Sequence, residues 1–472
     1  MKYTLLNDKT IKTSFMVFSI LLAMIAIVKM VFSLFMLDIN ADAAYYLGVS
    51  RLILEGNMPF VDFPPGYTPL SFYIMAAPIA VFGTSLTIAL VCLYLLHIAN
   101  TGIIYKIIRQ NNGDKLMASY FSVLSLLLCL GTDGCRYVLE PFVLFFGLLA
   151  LYILKKGGFK WIVLSGFLCF CSFWSKQYGL GFFCLAIAAL LLEGGMNKTF
   201  FLKSAYLMMG FFVGMVLFVL FFLVQGVDPL SLLSLSGSSY ERDGISGLIG
   251  GWISLLITVP LLLVAIITMF AKLKDARNIS LLIVSFFGVF GFMLQCYVRF
   301  YAHYLMLVMP FAVIMLYACF DAFKSEKLKK IYIILLLFSM VIPLFFASKS
   351  IIAIVSENAR EKQEISAKAI AEIVPKESKD VYCAMDLLPI MHLNTYNPPL
   401  IGKYGMSNGF VRESESVYEM IKASSFCMIS ERDLEKKNKY TSDVLNCLNN
   451  QFDVRKIEGK APKDTYNIYV RK

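Results

Sequence analysis

SFMVFSILLAMIAIVKMVFSLFML, residues 14–37, holds a single charge, Lys29, in 24 residues. A helix crosses the hydrocarbon core of a bilayer with about 20 mostly apolar residues. The stretch therefore reads as a membrane span, uncleaved because no small-residue cleavage site follows it. It is the first of a series: Leu70–Phe82, Leu86–Ile108, Leu116–Leu130, Tyr137–Leu154, Trp161–Trp174, Tyr178–Leu192, Phe201–Val224, Leu248–Phe270, Ile279–Tyr297, Tyr301–Phe323 and Ile331–Phe346. The 472-residue chain is 58% hydrophobic and 16% charged, with a mean hydropathy of +0.71. Soluble domains run about 45–50% apolar and about 25% charged. A net charge of +11 would suit nucleic acid, but so apolar a chain cannot keep its surface in water. Most of the 11 Cys fall in apolar runs, where a thiol behaves as a small hydrophobe, so a disulfide scaffold is excluded as well. The expected fold class is an all-α polytopic membrane protein of about 11–13 transmembrane helices, with a small C-terminal extracytoplasmic α/β domain.

The expected division is residues 1–346 for the membrane module and 347–472 for the soluble domain, with residues 38–68 as the first outside loop. The tail holds 19 basic and 17 acidic residues. Within it Asp380–Met385, Ser425–Ser430 and Tyr466–Val470 read as short strands, and Glu357–Ile373 and Glu413–Ala423 as helices. The membrane part has 24 basic residues, of which 18 cluster in Lys/Arg-rich loops at Lys2–Lys12, Lys106–Lys115, Lys155–Lys160, Lys198–Lys203, Lys272–Arg277 and Lys324–Lys330. Such loops stay cytoplasmic. The amino terminus is then cytoplasmic and the C-terminal domain extracytoplasmic, in a multi-pass plasma-membrane protein. Only two apolar runs separate the outside loop from Lys106, where an odd number of crossings is required. The total is therefore 11 or 13, with Leu70–Phe82 a partial insertion or one span uncounted.

Outside the sorting clusters stand Lys29, Arg51, Arg136, Lys176, Arg242 and Arg299. Isolated ionisable groups at membrane depth are costly and tend to mark function. The first outside loop, DINADAAYYLGVSRLILEGNMPFVDFPPGYT (residues 38–68), opens with Asp38 and Asp42. A short interfacial helix follows, ended by Gly56-Asn57, and a proline-rich return leads back to the membrane.

This loop resembles the first extracytoplasmic loop of the GT-C superfamily of membrane glycosyltransferases, in its dolichyl-phosphate-mannose mannosyltransferase-like and aminoarabinose-transferase-like branch. Asp42, Tyr46, Arg51 and Gly56 fall on the family spacing, and Tyr67-Thr68-Pro69-Leu70 stands where its return belongs. Ala43 replaces the usual Glu, and Pro64-Pro65-Gly66 the usual Lys-Pro-Pro. SFWSKQYGL (residues 172–180), GCRYVLEPF (134–142) and VRFYAHYLMLVMP (298–310) are similar to three further family segments, with Lys176, Arg136 and Glu140, and Arg299, His303 and Tyr304 at the marked positions. The resemblance implies transfer of a sugar from a polyprenyl-phosphate-linked donor to an extracytoplasmic glycan, lipid or protein acceptor. That chemistry needs a carboxylate to take the acceptor's proton, for which Asp42 is expected and Asp38 is second. It needs cations at the departing lipid phosphate, for which Arg299, Lys176 and Arg136 are the candidates. Glu140, His303, Tyr304, Tyr46, Asp62 and Arg242 complete the expected substrate-binding set. No cofactor is expected. The alternative is a divalent metal on Asp42, Asp62 and an acid from Glu241 or Asp243.

Each residue also has a plainer reading. Asp42 suits the dipole of a helix N-terminus, and Asp38 simply ends a span. Arg136 and Glu140 fit an i,i+4 ion pair, and Lys176 fits an interface anchor beside Trp174 and Tyr178. Lys29 fits a snorkelling lysine. His303, His97 and His392 fit structural roles, and three His make zinc a poor reading. One disulfide among Cys383, Cys427 and Cys447, or none, fits the tail. The rival functions are a transporter or flippase of lipid-linked or small polar substrates and a non-catalytic scaffold. No internal repeat supports the first, and the second leaves the Asp42 loop unexplained.

Overall fold

The computed structural model describes residues 9–37, 40–60, 66–83, 85–111, 113–227, 243–272, 279–323, 325–339, 341–375, 381–383, 414–435, 440–457 and 466–472. Asp38, Asp62, Tyr240, Glu241, Arg242 and His392 lie outside the described residues. The apolar runs fold as helices: α1 (Lys9–Met36), α2 (Ala41–Leu54), α3 (Leu70–Phe82), α4 (Leu86–Gln110), α5 (Lys115–Cys129), α6 (Glu140–Leu154), α7 (Phe159–Ser175), α8 (Leu180–Gly194) and α9 (Lys198–Val224). There follow α10 (Gly244–Thr258), α11 (Leu261–Lys272), α12 (Ile279–Met293), α13 (Gln295–Val298), α14 (Leu305–Ala322), α15 (Glu326–Ser339), α16 (Val341–Glu357) and α17 (Ala359–Ala371). Among the described residues 8 helices are long and apolar enough to cross a membrane, and α10 with α11 form an apolar pair bent by 101°, a broken span or a re-entrant loop. Pro260 lies at that bend and has no amide hydrogen to continue the ladder. The shorter apolar helices are α3, α6 and α7. At 13 residues, α3 is only about 20 Å long, short of a hydrocarbon core of about 30 Å.

Side-chain caps fix several starts. Asn40 Oδ1 accepts the Ala43 amide at 2.9 Å to open α2, Asp114 Oδ1 accepts that of Leu116 at 2.8 Å to open α5, and Asn197 Oδ1 accepts that of Phe200 at 2.9 Å to open α9.

Packing groups the chain into two compact units: Met1–Leu34, Cys92–Gln225 and Ser239–Val355 in the first, and Phe35–Val91, Gly226–Ser238 and Ser356–Lys472 in the second. In the first, α14 is the buried centre, packed on α5, α11 and α12, while α6 packs on α7 and α7 on α9. The α7–α9 crossing is close because Gly166 and Gly210 face the partner's backbone. A Cβ on Gly166 would strike the Leu207 carbonyl, and one on Gly210 that of Val163. Between helices with no hydrophobic drive to associate in lipid, small residues permit the approach. Lys29 does not snorkel: it is 4% exposed on α1.

In the second unit α2 packs against α3. The tail forms a four-stranded sheet, β1 (Val381–Cys383), β2 (Phe426–Ser430), β3 (Phe452–Ile457) and β4 (Tyr466–Arg471), in the order β1-β2-β4-β3. β1 runs parallel to β2, and the other pairings are antiparallel. Helices Ser414–Ala423 and Ser442–Gln451 cover it with Val417, Ile421, Val444 and Leu448. Cys427 and Cys447 are free thiols in this core.

Candidate active site

At one end of α6 a carboxylate and an ammonium meet out of water. Glu140 begins α6 with Pro141 next, where an acid suits the helix dipole and proline costs no amide hydrogen bond. Lys176 follows the last residue of α7 in extended conformation, φ −165° and ψ 143°, before a 3-10 turn over Gln177–Gly179 restarts the chain as α8. That one extended residue turns the lysine off the helix. Its Nζ lies 2.6 Å from Glu140 Oε1, and both side chains have no exposed area. Tyr304 and Tyr178 offer their rings to the same ammonium at 5.0 and 5.8 Å. His303 Nε2 lies 3.9 Å from Glu140 Oε1. The partner the structure gives Glu140 is thus Lys176, and the i,i+4 pairing with Arg136 is not formed. A desolvated ion pair of this kind is stable only when closely matched.

Arg299 sits at a second break of the same kind. It too follows a short helix, α13, in extended conformation, φ −161° and ψ 140°. A 3-10 turn over Ala302–Tyr304 then restarts the chain as α14. Its guanidinium lies 5.0 Å from the Tyr301 ring centre, and Tyr301 stacks on His303 at 5.4 Å. Asp243 grips both sides of Arg299: its amide donates to the Val298 carbonyl at 3.1 Å, and its Oδ2 accepts the Phe300 amide at 2.8 Å. Arg136 is half-buried just after a π-helical segment, Leu130–Gly134, that packs on the Ala302–Tyr304 turn. In that segment Asp133 takes φ 65°, the left-handed region. Glu140, Lys176, His303, Tyr304, Arg299 and Arg136 therefore share one end of the first unit.

Sequence reasoning missed the neutral groups that hold this end. Asn100 of α4 donates to the Pro141 carbonyl at 3.0 Å, Ser172 of α7 to that of Val143 at 2.9 Å, and Gln295 of α13 to that of Tyr304 at 3.0 Å. His97 has the structural role expected, with Nε2 3.1 Å from the Gly134 carbonyl oxygen. Amides and hydroxyls within apolar helices bond across helices in this way.

Asp42 and Tyr46 belong to the second unit. Asp42 is half-buried in the first turn of α2. Tyr46 is 2% exposed, with Tyr45, Tyr67 and Phe72 rings at 5.7, 5.9 and 5.9 Å. Ala43–Ser50 are all buried, so α2 is held on every side rather than floated on one face. Arg51 pairs with Glu55 at 2.9 Å, and Gly56, at φ 88°, ends the helix as expected. Gly66, at φ 69°, turns the return where a Cβ would lie 2.6 Å from the Tyr45 hydroxyl. Among the described residues no group of three His, Cys, Asp or Glu is arranged to hold a metal. Of the alternative metal set, Asp42 and Asp243 are described, and Asp243 is engaged with Phe300.

No family model matches the sequence, and no curated protein matches it. Solved structures do. ArnT from Cupriavidus metallidurans superposes with a TM-score of 0.63 at 13% identity, over 95% of this chain and 97% of that one. The same protein bound to undecaprenyl phosphate gives 0.62 at 14% identity. The oligosaccharyltransferase of Archaeoglobus fulgidus gives 0.54 at 11% identity, over 93% of this chain and 73% of that one. Both proteins are GT-C superfamily members. This chain is a multi-pass membrane protein with the GT-C fold.

Proposed function

We propose that the chain is an integral-membrane glycosyltransferase that moves a sugar from a polyprenyl-phosphate-linked donor to an acceptor outside the cytoplasm. The observation that carries this reading is the likeness to ArnT over almost the whole chain, with Asp42 in the first turn of α2. In the reaction the bond from the sugar's anomeric carbon to the phosphate oxygen breaks as the bond to the acceptor oxygen forms. Asp42 takes the acceptor's proton, a role typically worth about 10²–10⁴-fold. Arg299, with Arg136, stabilises the phosphate that leaves, while Lys176, paired with Glu140, shapes that end as much as it charges it. Asp38, Asp62 and Arg242 remain candidates, and the reaction as proposed uses no cofactor. The N-terminus is cytoplasmic and the tail domain extracytoplasmic.

The test is transfer by purified protein from a panel of polyprenyl-phosphate sugars, wild type against Asp42→Asn. Donor consumption with a loss of about 10²-fold or more in the variant is expected. Full activity in Asp42→Asn removes the base assignment. Movement of intact lipid-linked sugar across liposomes without transfer would establish the transporter or flippase reading instead.

A further inference from the structure

The far end of α6 carries a second site. A cavity of about 150 Å³ opens there between the ends of α4, α6 and α8 and the start of α12, with α14 as its floor. Glu140 and Leu154 bound α6, a helix of 15 residues or about 22 Å, so this cavity and the Glu140–Lys176 pair occupy opposite ends of one helix. Its inner wall is hydrocarbon, from Leu148, Val284 and Phe311 among others. Hydrocarbon-lined space of this size takes up apolar groups. Its mouth is polar and cationic. Lys155 stands there with its Nζ bonded to Asn111 Oδ1, a neutral partner that leaves its charge in place. The other mouth charge, Glu193, acts on Lys155 and is also paired with Lys203 at 3.1 Å, so the three groups together leave one positive charge at the mouth. Ser280 and Ser285 of α12 add hydroxyl groups to the lining.

The depth of the mouth is marked on its flank. Lys156, next in sequence, lies 4.4 Å from the Trp161 ring and 5.2 Å from that of Tyr152. Trp and Tyr gather where bilayer meets water. A cation at headgroup depth, above an apolar slot, is complementary to an anionic lipid whose phosphate stays at the surface while its chain enters the protein.

We propose that this cavity is a structural site for an anionic glycerophospholipid, with its phosphate on Lys155 and part of one acyl chain against Leu148, Val284 and Phe311. The site is independent of the transfer reaction, so its fate and that of the proposed function are separately measurable.

The test is native mass spectrometry of the full-length protein, purified from mixed micelles containing equal phosphatidylglycerol, phosphatidylcholine and polyprenyl phosphate. One retained phosphatidylglycerol is expected, with occupancy about fivefold lower in Lys155→Gln, the worth of one lysine at a charged bilayer surface. Lys155→Arg should keep the lipid, and Ala189→Phe, which plugs the slot, should lose it while the phosphate-binding lysine stays intact. Equal retention in wild type, Lys155→Gln and Ala189→Phe would overturn the proposal. So would retention of polyprenyl phosphate alone, equal retention of phosphatidylcholine, or displacement of the lipid by inorganic phosphate.

Discussion

The Glu140–Lys176 pair is the residue on which most depends, because neither charge has water to fall back on. Removing one member of a buried pair strands the other and costs about 3–5 kcal/mol, whereas replacing both by apolar groups is often neutral. Glu140→Ala should therefore lower the thermal midpoint markedly, read by scanning fluorimetry in detergent, and Glu140→Leu/Lys176→Leu should recover most of it. A double variant no more stable than Glu140→Ala would mean that the charges themselves hold this end. Lys176 was legible as an out-of-place cation, and Glu140 and His303 through the segments that resemble the family's. Their partnership was not, since it joins positions 36 residues apart through a break that spacing does not record. Asn100 and Gln295 were hidden for the opposite reason. A neutral amide in an apolar run disturbs the hydropathy too little to draw attention.

At the scale of elements, the described residues of the twelve apolar runs fold mainly as helix, Leu248–Phe270 as a bent pair and Ile331–Phe346 on α15 and α16, because span length and apolarity leave backbone few other ways to satisfy its hydrogen bonds in lipid. The tail was read less completely. Three of its strands appeared close to their expected bounds, but β3 did not, for an edge strand with only Phe452 buried carries no period-2 signal. The most consequential element-level contact is the Asp243 clamp, which ties the entry of α10 to the exit of α13 across Arg299. Asp243→Ala should free that backbone and raise the KM for lipid-linked donor about fivefold with little change in kcat, as expected for losing about 1 kcal/mol of positioning. Asp243→Asn keeps an acceptor oxygen and should stay near wild type. A kcat loss with unchanged KM in Asp243→Ala would assign the residue to chemistry instead.

For the whole molecule, the charge distribution is the governing quantity. Of the 24 basic residues in the membrane part, 18 sit in the clusters that sort loops, and the exceptions include Arg136, Lys176 and Arg299, which share one end of the first unit. The proposed topology and the proposed site thus rest on one pattern. Single cysteines at Lys472 and Lys115 test it: an impermeant maleimide should label Lys472→Cys in intact cells and Lys115→Cys only after permeabilisation. The reverse result would turn the proposed site to the cytoplasm and overturn the proposed acceptor side.

The paired breaks at Lys176 and Arg299 also bear on engineering. Stabilisation of membrane proteins usually favours longer, more regular helices, and glycines such as Gly179 are the first targets. Here regularity would be damage. A continuous helix through residues 175–180 or 298–305 would rotate each cation to a different azimuth and close the turn that aims it. Thermostable variants selected for helix content alone should then accumulate changes everywhere except at these two short segments, and a selection that does alter them should yield protein that is robust and inert.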